Sequence, residues 1–185
     1  QPSTGSVGLD IDGGNAVGQP SNADSTDAGG TIVGASTDNT RWRGSGVSGA
    51  GSGGNVTKGR VGTGTITSGT ATDHLATFYF GGATTINNNT IVNTAASTEG
   101  AFRAESAGNV IAGSITANLA DVLLTTWNGV GRSIDVTGAI SGPSGVRVNT
   151  INSGGLTVTL SNSGTANSYA GDTTVDGNGN AVLTL

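Results

Sequence analysis

The chain has one imidazole, His74, and it follows Asp73. A Ser-His-Asp triad would be built on this pair, with the carboxylate orienting the ring and a serine as nucleophile. Such a serine is usually presented on a Gly-x-Ser-x-Gly turn between a strand and a helix. The chain offers no such turn, and helical periodicity is absent throughout. Cleavage of polysaccharides would need a matched pair of acids, and lyase chemistry would need clustered carboxylates and a base. The 12 acids are scattered singly or, like Asp10 and Asp12, lie in a terminal segment, and Lys58 is the only lysine. No catalytic residue is assigned on this pattern, and the chain is not expected to be an enzyme.

Two stretches have the look of calcium loops, Asp10-Ile11-Asp12-Gly13-Gly14-Asn15 and Asp176-Gly177-Asn178-Gly179-Asn180. Oxygen ligands at alternating positions around a glycine suit Ca²⁺, but neither is closed by a bidentate glutamate. Asp, Asn and Gly also make ordinary polar turns, so no metal and no cofactor is expected. The two tryptophans, Trp42 between Arg41 and Arg43 and Trp127 before Asn128-Gly129, have rings that stack on sugars. Carbohydrate platforms use several such rings, and aromatics make up 4% of this chain. Trp127 therefore reads as a core or interface cap. Trp42, flanked by arginines, reads as a contact with another subunit, where Trp and Arg are favoured.

The elements that hold these residues are short strands. From Ser133 to Leu185, apolar residues alternate as Ile134/Val136, Val146/Val148, Leu156/Val158/Leu160 and Val182/Leu183/Leu185, between clusters of Gly, Asn, Ser and Asp. A period of two bounded by turn residues marks strands. Strands are expected at 122–127, 133–137, 145–151 and 155–160. Upstream, LATFYF at 75–80 is the aromatic-dense strand, with Phe78 and Phe80 on one face and Thr77 and Tyr79 on the other. The whole chain reads as roughly ten to thirteen strands about 8–12 residues apart.

Composition narrows the class. Glycine is 34 of 185 residues without a Gly-X-Y period, and charged residues are 10% against 34% apolar. This is neither collagen nor the charge-rich composition of a disordered chain. The aliphatic residues are too few for a thick core, which favours a solenoid whose coils each bury a few small side chains and whose Thr, Ser and Asn form polar ladders. A β-sandwich or jelly roll has similar strand spacing and is the alternative. The expected class is all-β, an elongated β-solenoid or β-helix-like stack of short strands.

Residues 133–185 also resemble the autotransporter-associated β-strand repeat of bacterial surface proteins. The matching segments are Gly138-Ala139-Ile140-Ser141-Gly142, Gly154-Gly155-Leu156-Thr157-Val158-Thr159-Leu160, and Asn167-Ser168-Tyr169-Ala170-Gly171-Asp172-Thr173-Thr174-Val175, then the turn Asp176–Asn180 and strand Ala181–Leu185. Ala170 and Asp172 depart from the usual pattern. The resemblance implies a structural unit of a surface or passenger protein, with no catalytic residue to transfer.

Residues 1–54 read as a Gly/Ser/Asn-rich segment with a strand from Val7 to Ile11 and, at Gly44–Gly54, a flexible linker or a long turn; residues 55–185 read as the solenoid domain. A net charge of -5 with seven scattered basic residues gives no footprint for nucleic acid. No run approaches the ~18 apolar residues of a membrane span. An opening at Gln1, without Met, suggests a mature chain trimmed from a precursor and hence secretion. The expected function is a non-enzymatic extracellular structural protein, a subunit of a self-assembling surface fibre or layer. The alternatives are a carbohydrate-binding or carbohydrate-active β-helix and an adhesin passenger. The partner is a further copy, head to tail or by strand exchange, with surface glycans as a second class. Val7, Leu9, Ile11, Trp42, Val182, Leu183 and Leu185 are the candidate assembly residues.

Overall fold

The computed structural model describes residues 9–12, 17–18, 26, 28–34, 40–47, 49–52, 54–59, 61–69, 76–93, 100–162 and 164–185. Val7, Asp73 and His74 lie outside them. Among the described residues there are only strands and turns, and the strands stack on three faces. Face one holds β1 (Leu9–Asp12), β3 (Thr31–Gly34), β7 (Ile66–Ser68), β9 (Thr90–Val92), β12 (Ile115–Ala117), β15 (Ile140–Gly142) and β18 (Ser168–Tyr169). Face two holds β2 (Val17–Gly18), β10 (Phe102–Ala104), β13 (Val122–Thr126), β16 (Val146–Thr150) and β19 (Thr173–Gly177). Face three holds β11 (Asn109–Ile111), β14 (Arg132–Val136), β17 (Gly155–Leu160) and β20 (Asn180–Thr184). Two longer strands, β4 (Thr40–Val47) and β8 (Ala76–Ile86), serve faces two and three in turn: β8 pairs β10 through Phe78–Phe80 and β11 through Thr85–Ile86.

All these pairs are parallel. The exception is an antiparallel hairpin of β5 (Gly49–Ser52) and β6 (Asn55–Gly59) inserted between β4 and β7. Parallel pairing separates the solenoid from the sandwich and jelly-roll alternative, whose sheets are antiparallel. Gly44–Gly54 is neither linker nor long turn, because β4 and β5 run through most of it. Twenty strands are described, more than the period-two windows predict. Many are three-residue in-out-in triplets between corners, too short for alternation to register over a window.

Four successive coils, β9–β11, β12–β14, β15–β17 and β18–β20, have three separate strands each. Inside them each core position stacks on its equivalent in the next coil. Face one contributes the column Thr31, Ile66, Thr90, Ile115, Ile140, and face three the column Ile86, Ile111, Val136, Leu160, all buried. On face two the column is Phe78, Phe102, Leu124, Val148. The chain's three phenylalanines, Phe78, Phe80 and Phe102, are buried together, with Phe102 5.3 Å from Phe78 and 6.1 Å from Phe80 between ring centroids. Few large side chains suffice because each coil adds only ~4.8 Å of height.

Corners are tight. A Cβ at Gly138 would lie 2.0 Å from the carbonyl oxygen of Gly113, and one at Gly113 2.0 Å from that of Asn88. These corners close only where the backbone of one coil touches that of the next, so only glycine fits. Phe102→Ala is expected to cost about 3–5 kcal/mol of stability, and Gly138→Ala to destabilise through the same coil-to-coil contact. Val130→Ala, at a side chain 81% exposed, is expected to stay within about 0.5 kcal/mol. Urea unfolding of the three variants checks this order.

Candidate functional site

In a triplet whose first and third residues point inward, the middle one points out. On face two the outward residues fall in two columns. One runs Tyr79, Arg103, Thr125, Asn149, Asp176; the other includes Leu123, Arg147 and Thr174. Trp127 follows β13 directly, after the buried Thr126, and is half-buried.

These side chains form two groups. In the first, the guanidinium carbon of Arg103 lies 5.0 Å from the Tyr79 ring centroid and 4.9 Å from that of Trp127, so the cation is held between rings from the coils on either side. Arg103 Nε donates to Glu105 Oε1 at 2.6 Å, with the two side chains 12% and 18% exposed. Thr125 is wholly buried although it stands in the outward column, and a Cβ at Gly100 would lie 2.8 Å from its Cγ2. In the second group, Arg147 donates from Nε and Nη2 to Asp176 Oδ2 at 3.0 and 2.6 Å, and Asn149 Nδ2 donates to Asp176 Oδ1 at 2.8 Å. The hydrogen bond to Asp176 raises the Arg147 pKa, against the smaller opposing effect of partial burial.

Elsewhere polar side chains tie one coil to the next. Asn88 Nδ2 donates to the carbonyls of Gly62 and Gly64, Asn93 Nδ2 to that of Gly69, and Asn118 Nδ2 to Asn93 Oδ1. Asn89 Oδ1 accepts from Ser114, and Asn167 Oδ1 from the Ile140 N–H. Asp121 accepts from the Gly145 N–H at 2.6 Å, and Asp135 from the Ser161 hydroxyl. The partners in these bonds lie 24 to 27 residues apart, one coil. Asp176, in the second calcium-like stretch, is committed to Arg147 and Asn149. In the first, Asp10 and Asp12 belong to β1, and residues 13–15 lie outside the described ones.

The sequence-derived assembly residues divide. Leu9 and Ile11 lie in β1, which pairs β3 of the same chain, so this strand is already the edge of face one. Trp42 holds the register position next to Phe78, in line with a core column, and Arg41 and Arg43 those next to Thr77 and Tyr79. Leu183 continues the Ile134–Val158 core column and is partly buried, whereas Val182 is paired with Thr157 on the flank and is 48% exposed. Leu185 is 88% exposed. The face-two strip is missed by linear reading, since its members are separated by a coil of sequence; the only signal is a polar or aromatic residue between inward apolar ones at each coil. No protein-family model, no curated protein and no solved structure matches the chain.

The two Arg–carboxylate pairs differ in burial, which gives a direct test. Arg103→Ala strands a largely buried Glu105 and frees two rings, and is expected to cost about 3 kcal/mol. Arg147→Ala breaks a pair whose side chains are 43% and 36% exposed, and is expected to cost no more than about 1 kcal/mol. Equilibrium denaturation of both, with Arg103→Ala the less damaging, would contradict the burial argument.

Proposed function

We propose that the chain is a non-enzymatic structural solenoid, a building unit of an extracellular surface fibre or layer. The observation that carries this reading is the use made of its polar side chains. Asp121, Asp135 and Asp176 each accept a hydrogen bond from the adjacent coil, and at corners Asn88 and Asn118 donate one to it. Carboxylates that bind coils together are spent on rigidity, not held ready for acid-base chemistry. The resemblance of residues 133–185 to the autotransporter-associated repeat supports the surface role, as does the acidic, lysine-poor composition.

Repetition supports assembly. In the coil of β18, β19 and β20, Val175 occupies the core column of Val148 yet is 45% exposed, and Tyr169, Ala181 and Leu183 are only partly buried. That coil is a template for another, from the same polypeptide or from a second copy, because parallel edge strands and half-covered apolar positions invite the same packing. A head-to-tail contact of this kind that does not close propagates as a filament.

Sedimentation velocity and negative-stain electron microscopy over a concentration series test the proposal. End-to-end particles that lengthen with concentration are expected, and Val175→Lys is expected to abolish them while leaving the β circular dichroism intact. A wild-type chain that is folded and monomeric throughout would overturn the self-assembling part of the reading.

A further inference from the structure

We propose that the outer side of face two is a binding strip for a neutral oligosaccharide laid along the solenoid axis, a function separate from the scaffold role. Tyr79 and Trp127 are the aromatic side chains that face two turns outward among the described residues, and both are half-buried, fixed against Arg103. One face of each ring is taken by Arg103, and the apolar C–H face of a pyranose packs on the part left exposed, with little entropy lost by a ring already locked in place. In the two coils beyond Trp127, the same strip carries Arg147 and Asn149 and then Asp176. Sugar hydroxyls both donate and accept, and this triad offers guanidinium and amide donors beside carboxylate oxygens in one fixed arrangement.

Charge selects the ligand class. From β10 to β19, Arg103 is matched by Glu105 and Arg147 by Asp176, each pair with a 2.6 Å contact, and Asp121 acts on Arg147 as well, so this part of the strip has no cationic excess to attract a polyanion. Geometry selects the direction. The rings and the polar triad are displaced along the stacking direction, in which successive coils recur every ~4.8 Å. That repeat is close to the length of one sugar ring, so an extended glycan along the axis places successive rings over successive coils. A chain laid across the strip would meet one coil only.

The intact protein is titrated with hexasaccharides of glucose, mannose and N-acetylglucosamine, with an oligogalacturonate as the acidic comparator, by calorimetry and tryptophan fluorescence. Binding of at least one neutral hexasaccharide is expected, with a fluorescence change that Trp127→Phe diminishes. Trp127→Ala and Arg147→Ala are each expected to weaken binding about tenfold, and Thr116→Ala, outward on face one, to leave it unchanged. Because Arg147 is half-exposed, its variant reads the strip even if Trp127→Ala unfolds. Absence of binding by the folded protein, preference for the acidic sugar, or affinity untouched by Arg147→Ala and the folded Trp127 variant would overturn the proposal. Equal loss in Thr116→Ala would do so too.

Discussion

Among the described residues the solenoid rests on one constraint: each strand residue outside the β5–β6 hairpin must stack on its equivalent in the next coil. Parallel backbone hydrogen bonds impose it on all three faces, and they also set the height available to a side chain. Inside, the constraint yields columns of like residues such as Ile86, Ile111, Val136 and Leu160. At the corners it yields glycine over glycine, where Gly138 meets the carbonyl of Gly113. Outside, it brings side chains a coil apart in sequence into contact, as in Tyr79, Arg103 and Trp127. A core that is one narrow prism needs little apolar mass, and that is how a chain so rich in glycine satisfies its hydrophobic requirement.

The fold was legible where a strand is long enough to show alternation. Arg132–Val136, Val146–Thr150 and Gly155–Leu160 fall within a residue or so of the spans read from pattern, because five or six residues contain two or more inward apolar positions. Face one was far less legible: triplets such as Ile115–Ala117 carry two inward positions and a corner, which window reading merges with neighbouring turns. Gly44–Gly54 misled by composition, since strand pairing there comes from neighbouring coils and a local hairpin, not from side-chain propensity.

The face-two strip was the least legible feature. Trp127 drew notice for its chemistry, but its partner Arg103 lies in the preceding coil, and a linear scan gives no reason to join them. Only the register shows that Tyr79 and Arg103 are neighbours. The same holds for Arg147 and Asp176, which share an ion pair at |i−j| = 29. Tyr79, Arg103 and Arg147 stand on strands paired on both sides and Asp176 on the edge strand β19, so most of these groups gain fixed geometry without a thick core, the condition that either a rigid fibre surface or a recognition strip requires.

The stacking register itself is open to one direct measurement. Deleting residues 116–140 removes one coil of 25 residues and joins Ile115 to Ser141, the residue paired with Thr116. Thermal unfolding followed by circular dichroism should show a cooperative β transition in this variant. Deleting only 116–127 shifts every later side chain out of its column and should abolish the transition. If the half-coil deletion unfolds as cooperatively as the full-coil one, or if the full-coil deletion fails to fold, the coil-by-coil register is wrong.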